Sequence, residues 1–340
     1  MLHVCCDDKD MTTSKTLESV LEIMLITYNR YECLDNTLRH LENSPFAKCH
    51  ITVLDNCSND GTAEVTYKYR NKFDDFTVIR HTRNIGGDYN FLRAIELSTY
   101  RYTWILCDDD TYDFTYSNDV INAIVSCKYE LVYVASRSPV QLGWNGYGET
   151  TVRQLVMCGA RYHRACAFWP SIIFKAEAYT NYCFQAAPTI FPSMKFLNKS
   201  MEDDVVIYVA KEPIVLRADM CTSEVDPLKM YKEWVSNAAL IQDRKLRAYV
   251  IEQWTDRGFF RSLAFWIAVD RAKKVAGYWK RLVDILFALT PWQKFKFLML
   301  FPVMLIPVPM PLLIRAREVV YRSMGHKDLN NLPPVDTVQR

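Results

Sequence analysis

Five short apolar runs recur at near-constant spacing through the first 136 residues, and this repetition constrains the fold more than any other feature of the chain. Their centres lie about 27 residues apart. Each run is rich in Val, Ile and Leu, as is typical of strands buried on both faces of a sheet. The runs are EIMLITY at 22–28, HITVLDN at 50–56, FTVIRH at 76–81, YTWILCD at 102–108 and ELVYVAS at 130–136.

The segments between these runs have helical spacing. Strands that alternate with helices form βαβ units, in which neighbouring strands run parallel and helices cover the sheet. The sequence therefore predicts an α/β fold with a mostly parallel sheet flanked by helices. Apolar residues recur every three or four positions in the first and third connections, at Cys33, Leu34, Leu38 and Leu41, then at Phe91, Leu92 and Ile95.

The composition supports a folded protein and excludes two common nucleotide-binding classes. Half of the 340 residues are hydrophobic and 24% are charged, which is enough apolar material for a core. No GxGxxG or GK[ST] motif occurs, so dinucleotide and Walker-type phosphate loops are not predicted. The 11 cysteines include no CxxC pair, and the start MLHVCCDDKDM lacks the apolar region of a signal peptide, so we expect a cytoplasmic protein.

Polar side chains follow the predicted strands where each one ends. In a parallel sheet these carboxyl ends share one edge, and open α/β sheets bind their ligands in the crevice at that edge. The expected cleft therefore gathers a Thr, an Arg, Asn side chains and several carboxylates. The residues at these strand ends are Thr27, Tyr28, Asn29, Arg30, Asp55, Asn56, Arg83, Asn84, Asp108, Asp109 and Asp110.

The run Asp108-Asp109-Asp110 is the strongest chemical signal in the sequence. Three adjacent carboxylates repel one another unless a cation is shared among them. If the run is extended, Asp108 and Asp110 point the same way, and their oxygens suit Mg²⁺ or Mn²⁺ bound to a substrate phosphate. The alternative is a solvated acidic turn that caps the next helix.

Polar residues and a glycine lie at two predicted strand-to-helix junctions. They either contact a ligand or only form the turn and cap the next helix. Asp55 precedes its turn, so its carboxylate is expected to be free to accept hydrogen bonds from a planar ligand. Ser58 or Asp60 is expected to cap the following helix. Asn84 and Gly86 stand at the next junction, where glycine allows a ligand to approach the backbone closely, although a simple tight turn explains them equally well.

A second acidic cluster, Glu202-Asp203-Asp204, lies about 90 residues further along the chain. A carboxylate across the cleft from a bound metal can serve as a general base, whereas an acidic helix N-terminus is an equally good interpretation. His163 stands between two arginines, which disfavour a charged imidazole. A neutral His163 with a structural or acceptor-contacting role is therefore expected rather than a metal ligand.

The segments LITYNR, VLDNCSNDGT, RNIGGDYN, WILCDDD and MEDD follow one another in an order that resembles the GT-A glycosyltransferases, particularly the family-2 enzymes that use nucleotide-diphospho-sugars. The resemblance covers roughly residues 20–215 and implies a GT-A, Rossmann-like fold. It implies metal-assisted transfer of a sugar to an acceptor hydroxyl with inversion. No QxxRW motif follows residue 215, which argues against a processive polymerase and favours single addition.

The resemblance also implies the residues that bind the donor. The first strand end and the Asp of the second cradle the nucleotide base in the family, and the Asn-Gly turn lies near the base and ribose. The chain departs from the family after the third strand, where Asp88-Tyr89-Asn90 replaces an Arg-Asn pair. The donor-binding positions carried over are Thr27, Tyr28, Arg30, Asp55, Asn84, Gly86, Asp108 and Asp109.

Two acidic motifs of the family match this sequence. The DXD motif falls on Asp108 and Asp110, which implies that Asp108 contacts the ribose beside the metal and that Asp110 holds Mg²⁺ or Mn²⁺ on the diphosphate. The ED pair falls on Glu202 and Asp203, which implies that Asp203 is the catalytic base.

Two other classes of function remain open at this point. A metal-dependent phosphotransferase or hydrolase would also use Asp108 and Asp110, but the haloacid-type motif needs Thr where Tyr112 stands. A catalytically inactive GT-A-like binding protein would keep the fold and lose the reaction. An assay of donor hydrolysis or transfer with added metal discriminates between these alternatives.

The last third of the chain is basic. Residues 227–323 carry 17 basic and 7 acidic groups, a balance of +10, whereas residues 1–110 carry 12 and 18, a balance of −6. The uncharged run 297–314 contains four prolines, so a straight membrane span is not expected. A basic amphipathic helix beside this apolar run predicts contact with an anionic membrane surface through 259–315, and argues against nucleic acid. A helical cap or a homo-oligomer interface is the alternative.

These observations predict four regions. An N-terminal extension covers 1–20, and the catalytic domain covers 21–226, with a nucleotide-sugar half at 21–115 and an acceptor half at 116–226. A basic, apolar helical region covers 227–323, and a flexible tail covers 324–340. The acceptor is expected to be a glycan or a lipid-linked glycan, and the protein is expected to lie peripherally on the cytoplasmic face of a membrane.

Overall fold

The computed structural model describes residues 15–135, 142–183, 193–216, 233, 236–254, 257–289 and 291–300, together with 302, 308, 309, 311–313 and 316. Within these residues, eight strands form one sheet and two short strands form a separate ladder. The strands are β1 (Leu21–Thr27), β2 (His50–Asp55), β3 (Phe76–Arg80), β4 (Tyr102–Cys107), β5 (Thr111–Tyr112), β6 (Leu131–Tyr133), β7 (Gly148–Thr151), β8 (Ile172–Lys175), β9 (Val206–Val209) and β10 (Val215–Leu216).

The main sheet has the order β3-β2-β1-β4-β8-β6-β9-β7. Strands β3, β2, β1 and β4 run parallel to one another, and β6 runs parallel to β9. Strand β8 runs antiparallel between β4 and β6, and β7 is an antiparallel edge strand. Because the chain moves from β1 to β2 on one side and later to β4 on the other, a topological switch point lies between β1 and β4, where open α/β sheets bind ligands.

Helices alternate with the strands in the first part of the chain. The helices that connect or cover the sheet are α1 (Leu17–Val20), α2 (Tyr31–Glu42), α3 (Thr62–Tyr69), α4 (Gly87–Leu97), α5 (Asn118–Val125), α6 (Val152–Met157), α7 (Tyr162–Cys166), α8 (Ala176–Cys183) and α9 (Met194–Glu202). A short 3-10 helix spans Trp169–Ser171.

Side chains that alternate along β1 point to opposite faces of the sheet. Ile23 and Leu25 pack in one buried cluster with residues of α2 and α5. Met24 and Ile26 pack in the other, with residues of α4, α6 and α9. All seven residues of β1 are buried, so this strand holds the switch point rigidly between two cores.

In the described stretches of the basic part of the chain lie the helices α10 (Arg244–Trp254), α11 (Arg257–Ala272), α12 (Tyr278–Ala288) and α13 (Pro291–Leu298). Helices α11 to α13 share a hydrophobic cluster of their own. Among the described residues, no helix is both long enough and apolar enough to cross a membrane.

The predicted α/β fold with its mostly parallel sheet and helical C-terminal part is confirmed. All five apolar runs form strands, each within one residue of the expected start. Strand β3 differs from the expected burial, because it forms the edge of the sheet and all five of its residues are at least partly exposed. Part of the proline-containing run 297–314, and all of the tail 324–340, lie outside the described residues.

Candidate active site

The carboxyl ends of three adjacent strands meet at the switch point. Thr27 at the end of β1 is in register with Asp55 at the end of β2, which is in register with Arg80 of β3. On the other side, Ile26 is in register with Cys107, the residue before the acidic run. The structure therefore brings the predicted strand-end residues of β1, β2 and β4 to one edge.

Asp108 is held by the end of β1. The Thr27 hydroxyl donates a hydrogen bond to Asp108 Oδ2 over 2.6 Å, and the Thr37 hydroxyl of α2 donates to the Asp108 carbonyl over 3.1 Å. Burial raises the pKa of the Asp108 carboxyl to about 7, although Arg30 and Thr27 favour the ionised form. The polypeptide thus holds an acidic group in a buried position, where its charge is costly.

Arg30 bridges the first two carboxylates of the run. Its Nη2 lies 2.8 Å from Asp108 Oδ1, and its Nη1 donates to Asp109 Oδ2 over 2.5 Å. The planar guanidinium is suited to this arrangement because its donors form a fixed fork. Arg30 is therefore placed at the cleft as predicted, and its partners are the carboxylates of the run.

The acidic run is a turn and not an extended segment. The Tyr112 hydroxyl donates to the Cys107 carbonyl over 2.8 Å and lies 3.2 Å from the Cys107 amide, which closes the turn over Asp108, Asp109 and Asp110. Within the described residues, Cys107, Asp109 and Asp110 form the one cluster whose ligand atoms lie within 4.8 Å of one another. The expected pairing of Asp108 with Asp110 is therefore corrected, because the turn directs Asp108 towards Thr27 and Arg30.

The donor set of this cluster fits a hard divalent cation. Two carboxylates provide the oxygen ligands that Mg²⁺ and Mn²⁺ prefer, and such ions complete their coordination with water and substrate phosphates. Burial raises the pKa of the Cys107 thiol well above its ordinary value, and the three neighbouring carboxylates add to this. The thiol stays protonated at neutral pH, so Asp109 and Asp110 are the candidate ligands.

Asp55 is engaged by the protein itself. Its Oδ1 accepts a hydrogen bond from the Ser58 amide over 2.8 Å, and its Oδ2 accepts one from Arg80 Nε over 3.1 Å. Arg80 also donates to the Ser58 carbonyl over 2.7 Å. The expectation that the Asp55 carboxylate is free is therefore wrong, although each oxygen can accept a further bond. Arg80 is not among the residues predicted for the site, although its position at the end of the third apolar run could have indicated it.

The turns after β1 and β2 are joined by reciprocal hydrogen bonds. The Asn29 amide donates to Ser58 Oγ over 2.9 Å, and the Asn59 amide donates to Asn29 Oδ1 over 2.8 Å. The Tyr31 amide donates to Asp60 Oδ2 over 3.1 Å. Ser58 therefore joins the two turns and does not cap α3, whose first residue Thr62 is bound by Asp60 instead. Tyr28 lies within the first of these turns with its ring partly exposed.

Asn84 and Gly86 form the junction into α4. Asn84 Oδ1 accepts hydrogen bonds from Asn56 Nδ2 and from the Gly86 amide, each over 2.8 Å. Gly86 has φ +87°, a left-handed conformation that favours glycine. An open groove of about 670 Å³ lies beside this junction, and it is lined by Arg83, Asn84, Ile85, Tyr89, Leu92, Arg93 and Glu96.

The second acidic cluster lies at the opposite edge of the sheet. Asp203 follows α9 and precedes β9. Ile207 of β9 is in register with Leu131 of β6, which pairs with Phe174 of β8, and Phe174 pairs with Thr103 of β4. Ile207 and Thr103 therefore lie at the same level of the sheet. Thr103 precedes Asp108 by five residues, about 16 Å of strand, and β9 is three strand spacings, about 14 Å, from β4. The structure does not bring Glu202 or Asp203 to the cleft, and this corrects their expected place beside the metal.

Local contacts account for the second acidic cluster. Asp203 Oδ1 pairs with Lys199 Nζ over 2.5 Å, one turn earlier, and its side chain is 46% exposed. The Glu202 carboxylate accepts a hydrogen bond from the Gln242 amide before α10. Asp204 Oδ1 accepts one from the Arg153 amide over 3.1 Å. Glu202 and Asp204 thus connect the end of α9 to the segment before α10 and to α6, whereas Asp203 pairs with a lysine of α9 itself.

His163 is part of a buried polar network. Its Nε2 lies 2.9 Å from Asn198 Oδ1, and Asn198 Nδ2 donates to the Asn237 carbonyl over 2.8 Å. Because that amide is used as a donor, the Asn198 oxygen is the acceptor and His163 donates from Nε2. Burial lowers the pKa of His163 to about 4, so the imidazole is neutral. The expected neutral, structural His163 agrees with this geometry.

The sequence matches a family model. Residues 22–204, more than half of the chain, match the model described as glycosyl transferase family 2. A curated relative, abequosyltransferase RfbV of Salmonella typhimurium, is 35% identical over 95 residues, which are 27% of this chain and 28% of that protein. The chain therefore matches less than a third of the length of this relative.

Solved structures resemble the fold across almost the whole chain. S. aureus TarS 1-349 in complex with UDP-GlcNAc superposes with a TM-score of 0.62 at 16% identity, over 92% of this chain and 95% of that one. The mannosyltransferase PcManGT of Pyrobaculum calidifontis, in complex with GDP-Man and Mn²⁺, gives a TM-score of 0.51 at 13% identity, over 87% and 89%. These similarities confirm the predicted GT-A fold.

Proposed function

The chain belongs to glycosyl transferase family 2, as its sequence motifs predict, and from this premise we propose that it transfers a sugar from a nucleotide-diphospho-sugar to an acceptor hydroxyl. The observation that carries the proposal is the cluster at the switch point, where Thr27 and Arg30 hold Asp108 beside Asp109 and Asp110. This edge is where parallel sheets bind nucleotides. The family match leaves the phosphotransferase alternative without a supporting observation.

We assign donor binding to the turns after β1, β2 and β3. Tyr28 offers a partly exposed ring, and the joined turns at Asn29 and Ser58 fix its backbone. Asp55 retains acceptor capacity, and Arg80 adds a donor beside it. The structural neighbours were solved with UDP-GlcNAc and with GDP-Man, so uridine and guanosine donors are the first to test.

We assign the metal to Asp109 and Asp110. The mannosyltransferase neighbour was solved with Mn²⁺, and the two carboxylates suit Mg²⁺ as well as Mn²⁺. When bound, such an ion offsets the charge that develops on the departing nucleoside diphosphate. Arg30 holds the Asp109 carboxylate in place, and Asp108 orients Arg30, so Asp108 is a positioning residue.

The proposed reaction is a single displacement at the anomeric carbon. The acceptor hydroxyl oxygen forms the new bond as the bond to the diphosphate oxygen breaks, and the nucleoside diphosphate leaves with the electron pair. A base accepts the hydroxyl proton. Attack opposite to the leaving group inverts the anomeric configuration. Asp203 is not proposed as the base, because the sheet register separates it from the cleft.

We further propose that the acceptor is a glycan or a lipid-linked glycan and that the enzyme works at the cytoplasmic face of a membrane. The +10 balance of residues 227–323 supports this location, because anionic lipids attract basic segments.

Metal-dependent thermal stabilisation by UDP-, GDP- and dTDP-sugars tests this function. We expect one nucleotide class to raise the melting temperature in the presence of Mn²⁺ and not in EDTA. The same donor should then release its nucleoside diphosphate when an acceptor extract is added. Stabilisation without any release or transfer would favour an inactive binding protein, and no stabilisation by any donor would overturn the proposal.

A further inference from the structure

Helix α12 exposes an apolar stripe opposite to the face that it buries. Tyr278, Leu282 and Ile285 are buried in the cluster shared by α11 to α13. Trp279, Val283 and Phe287 follow a spacing of four residues on the other side, and they are 49%, 47% and 76% exposed. Large apolar side chains in a row on a helix surface indicate a surface that is covered in its working state.

Helix α13 continues this surface. Trp292, Phe295 and Met299 follow helical spacing and are 60%, 54% and 68% exposed. The rings of Trp292 and Phe295 are stacked with their centroids 5.6 Å apart. Phe297 is buried on the opposite side of the helix. We call Trp279, Val283, Phe287, Trp292, Phe295 and Met299 the aromatic face.

Cations lie directly against the aromatic face. Lys294 Nζ is 5.9 Å from the centroid of the Phe287 ring, which links the two helices. Lys296 Nζ is 5.2 Å from the Trp292 ring, and Arg271 Cζ is 5.7 Å from the Trp279 ring. The charged groups therefore border the apolar side chains and do not form a separate patch.

The surroundings of this face are positively charged. Residues 257–300 contain nine Lys and Arg and two Asp, a balance of +7. Both aspartates are paired within the helices, Asp284 with Lys280 over 3.0 Å and Asp270 with Arg281 over 3.2 Å. A partner that covers the aromatic face must therefore offer both an apolar layer and negative charge.

We propose that the aromatic face docks peripherally on an anionic lipid bilayer. Tryptophan and phenylalanine insert at the boundary between head groups and acyl chains, while neighbouring Lys and Arg bind anionic head groups. A second copy of this chain fits less well, because a two-fold interface would place the same cations opposite one another. The proposal deepens the membrane location given above and does not depend on which donor the enzyme uses.

Co-sedimentation of the full chain with vesicles tests the proposal. Wild type should pellet with vesicles of phosphatidylcholine and phosphatidylglycerol in equal amounts, and stay in the supernatant with phosphatidylcholine alone. F287A/W292A should lower the partition coefficient at least about tenfold. K294Q/K296Q should lower it roughly 25-fold, since each basic residue contributes roughly a fivefold factor. Y67A and K48Q, exposed residues outside these helices, are the matched controls and should bind as wild type does.

Donor stabilisation of the same variants separates this proposal from the proposed function. Intact donor-dependent stabilisation in F287A/W292A, together with lost vesicle binding, would support the docking surface. Equal binding of wild type and both double variants would overturn it. The proposal would also be overturned if wild type is a dimer that does not bind anionic vesicles and F287A/W292A is a monomer. That result would assign the aromatic face to self-association.

Discussion

Thr27 donates its hydroxyl hydrogen bond to Asp108 over 2.6 Å, and so joins the ends of two strands that are 81 residues apart in sequence. Both side chains are almost fully buried. A buried carboxylate without its donors is costly, because hydrogen bonds to a charged group contribute about 1.5–3 kcal/mol. This bond therefore connects the stability of the sheet to the position of the acidic turn.

Thr27→Val tests that connection. The substitution keeps the shape and removes the donor, so we expect the free energy of unfolding to fall by about 1–3 kcal/mol and donor affinity to fall with it. Thr103→Val is the matched control, because the Thr103 hydroxyl donates to the buried Glu22 carboxylate over 2.9 Å at the opposite edge of the sheet. Urea denaturation should show a loss in both variants, whereas donor titration should change only for Thr27→Val. Equal donor affinities in the two variants would show that the hydrogen bond between Thr27 and Asp108 plays no part in donor binding.

Arg30→Lys tests the bridge between Asp108 and Asp109. A lysine ammonium is a point charge and cannot reproduce the fork that contacts both carboxylates. We expect at least a tenfold loss in affinity for the donor in the presence of Mn²⁺, with little change in the melting temperature. Arg39→Lys, on the exposed side of α2, the helix that Arg30 precedes, should leave binding unchanged. Wild-type affinity in Arg30→Lys would show that the bridge is dispensable.

Asp203→Asn tests whether Asp203 is too far from the cleft to act as the catalytic base, as the sheet register indicates. Loss of a general base typically lowers turnover by about 10²–10⁴-fold. Because Asp203 lies at the opposite edge and pairs with Lys199 in solvent, we expect kcat to stay within about twofold of wild type. Lys199→Gln, which removes the same pair, should behave alike. A hundredfold loss in Asp203→Asn alone would restore Asp203 as the base.

His163 makes stability depend on pH. Its pKa is about 4 in the folded protein, because of burial, and about 6.5 when unfolded. The unfolded chain therefore binds a proton that the folded chain excludes, and the free energy of unfolding falls as pH drops from about 6.5 towards 4, by up to ~3 kcal/mol. Urea denaturation at pH 7 and pH 4.5 should show a smaller difference between the two conditions for His163→Gln than for wild type. If the free energy of unfolding changes equally between the two pH values in both proteins, a group other than His163 takes up the proton.

The fold could be predicted because its signals are local and repeated. The five apolar runs and the helical spacing between them define βαβ units, and parallel strands must share their carboxyl edge. That rule alone predicts that Thr27, Asp55 and Asp108 lie close together. Strand β8 carried no comparable pattern, and its antiparallel insertion between β4 and β6 was not predicted.

The errors in the site have physical causes that sequence does not display. Asp108 and Asp110 were expected to point the same way, but the Tyr112 hydroxyl closes a turn there. Asp203 was placed by its motif, whereas its location depends on the order and direction of β6, β8 and β9. Such long-range pairings decide which edge of a sheet a residue occupies, and no local pattern reports them.

Release of nucleoside diphosphate from the stabilising nucleotide-sugar tests the central claim, that the turn at Asp109 and Asp110 serves a metal-assisted glycosyl transfer. Release should require Mn²⁺ or Mg²⁺ in wild type, persist in the exposed-carboxylate control Asp74→Asn, and fall by at least about a hundredfold in Asp110→Asn. Wild-type release in EDTA, or full release in Asp110→Asn, would contradict the account.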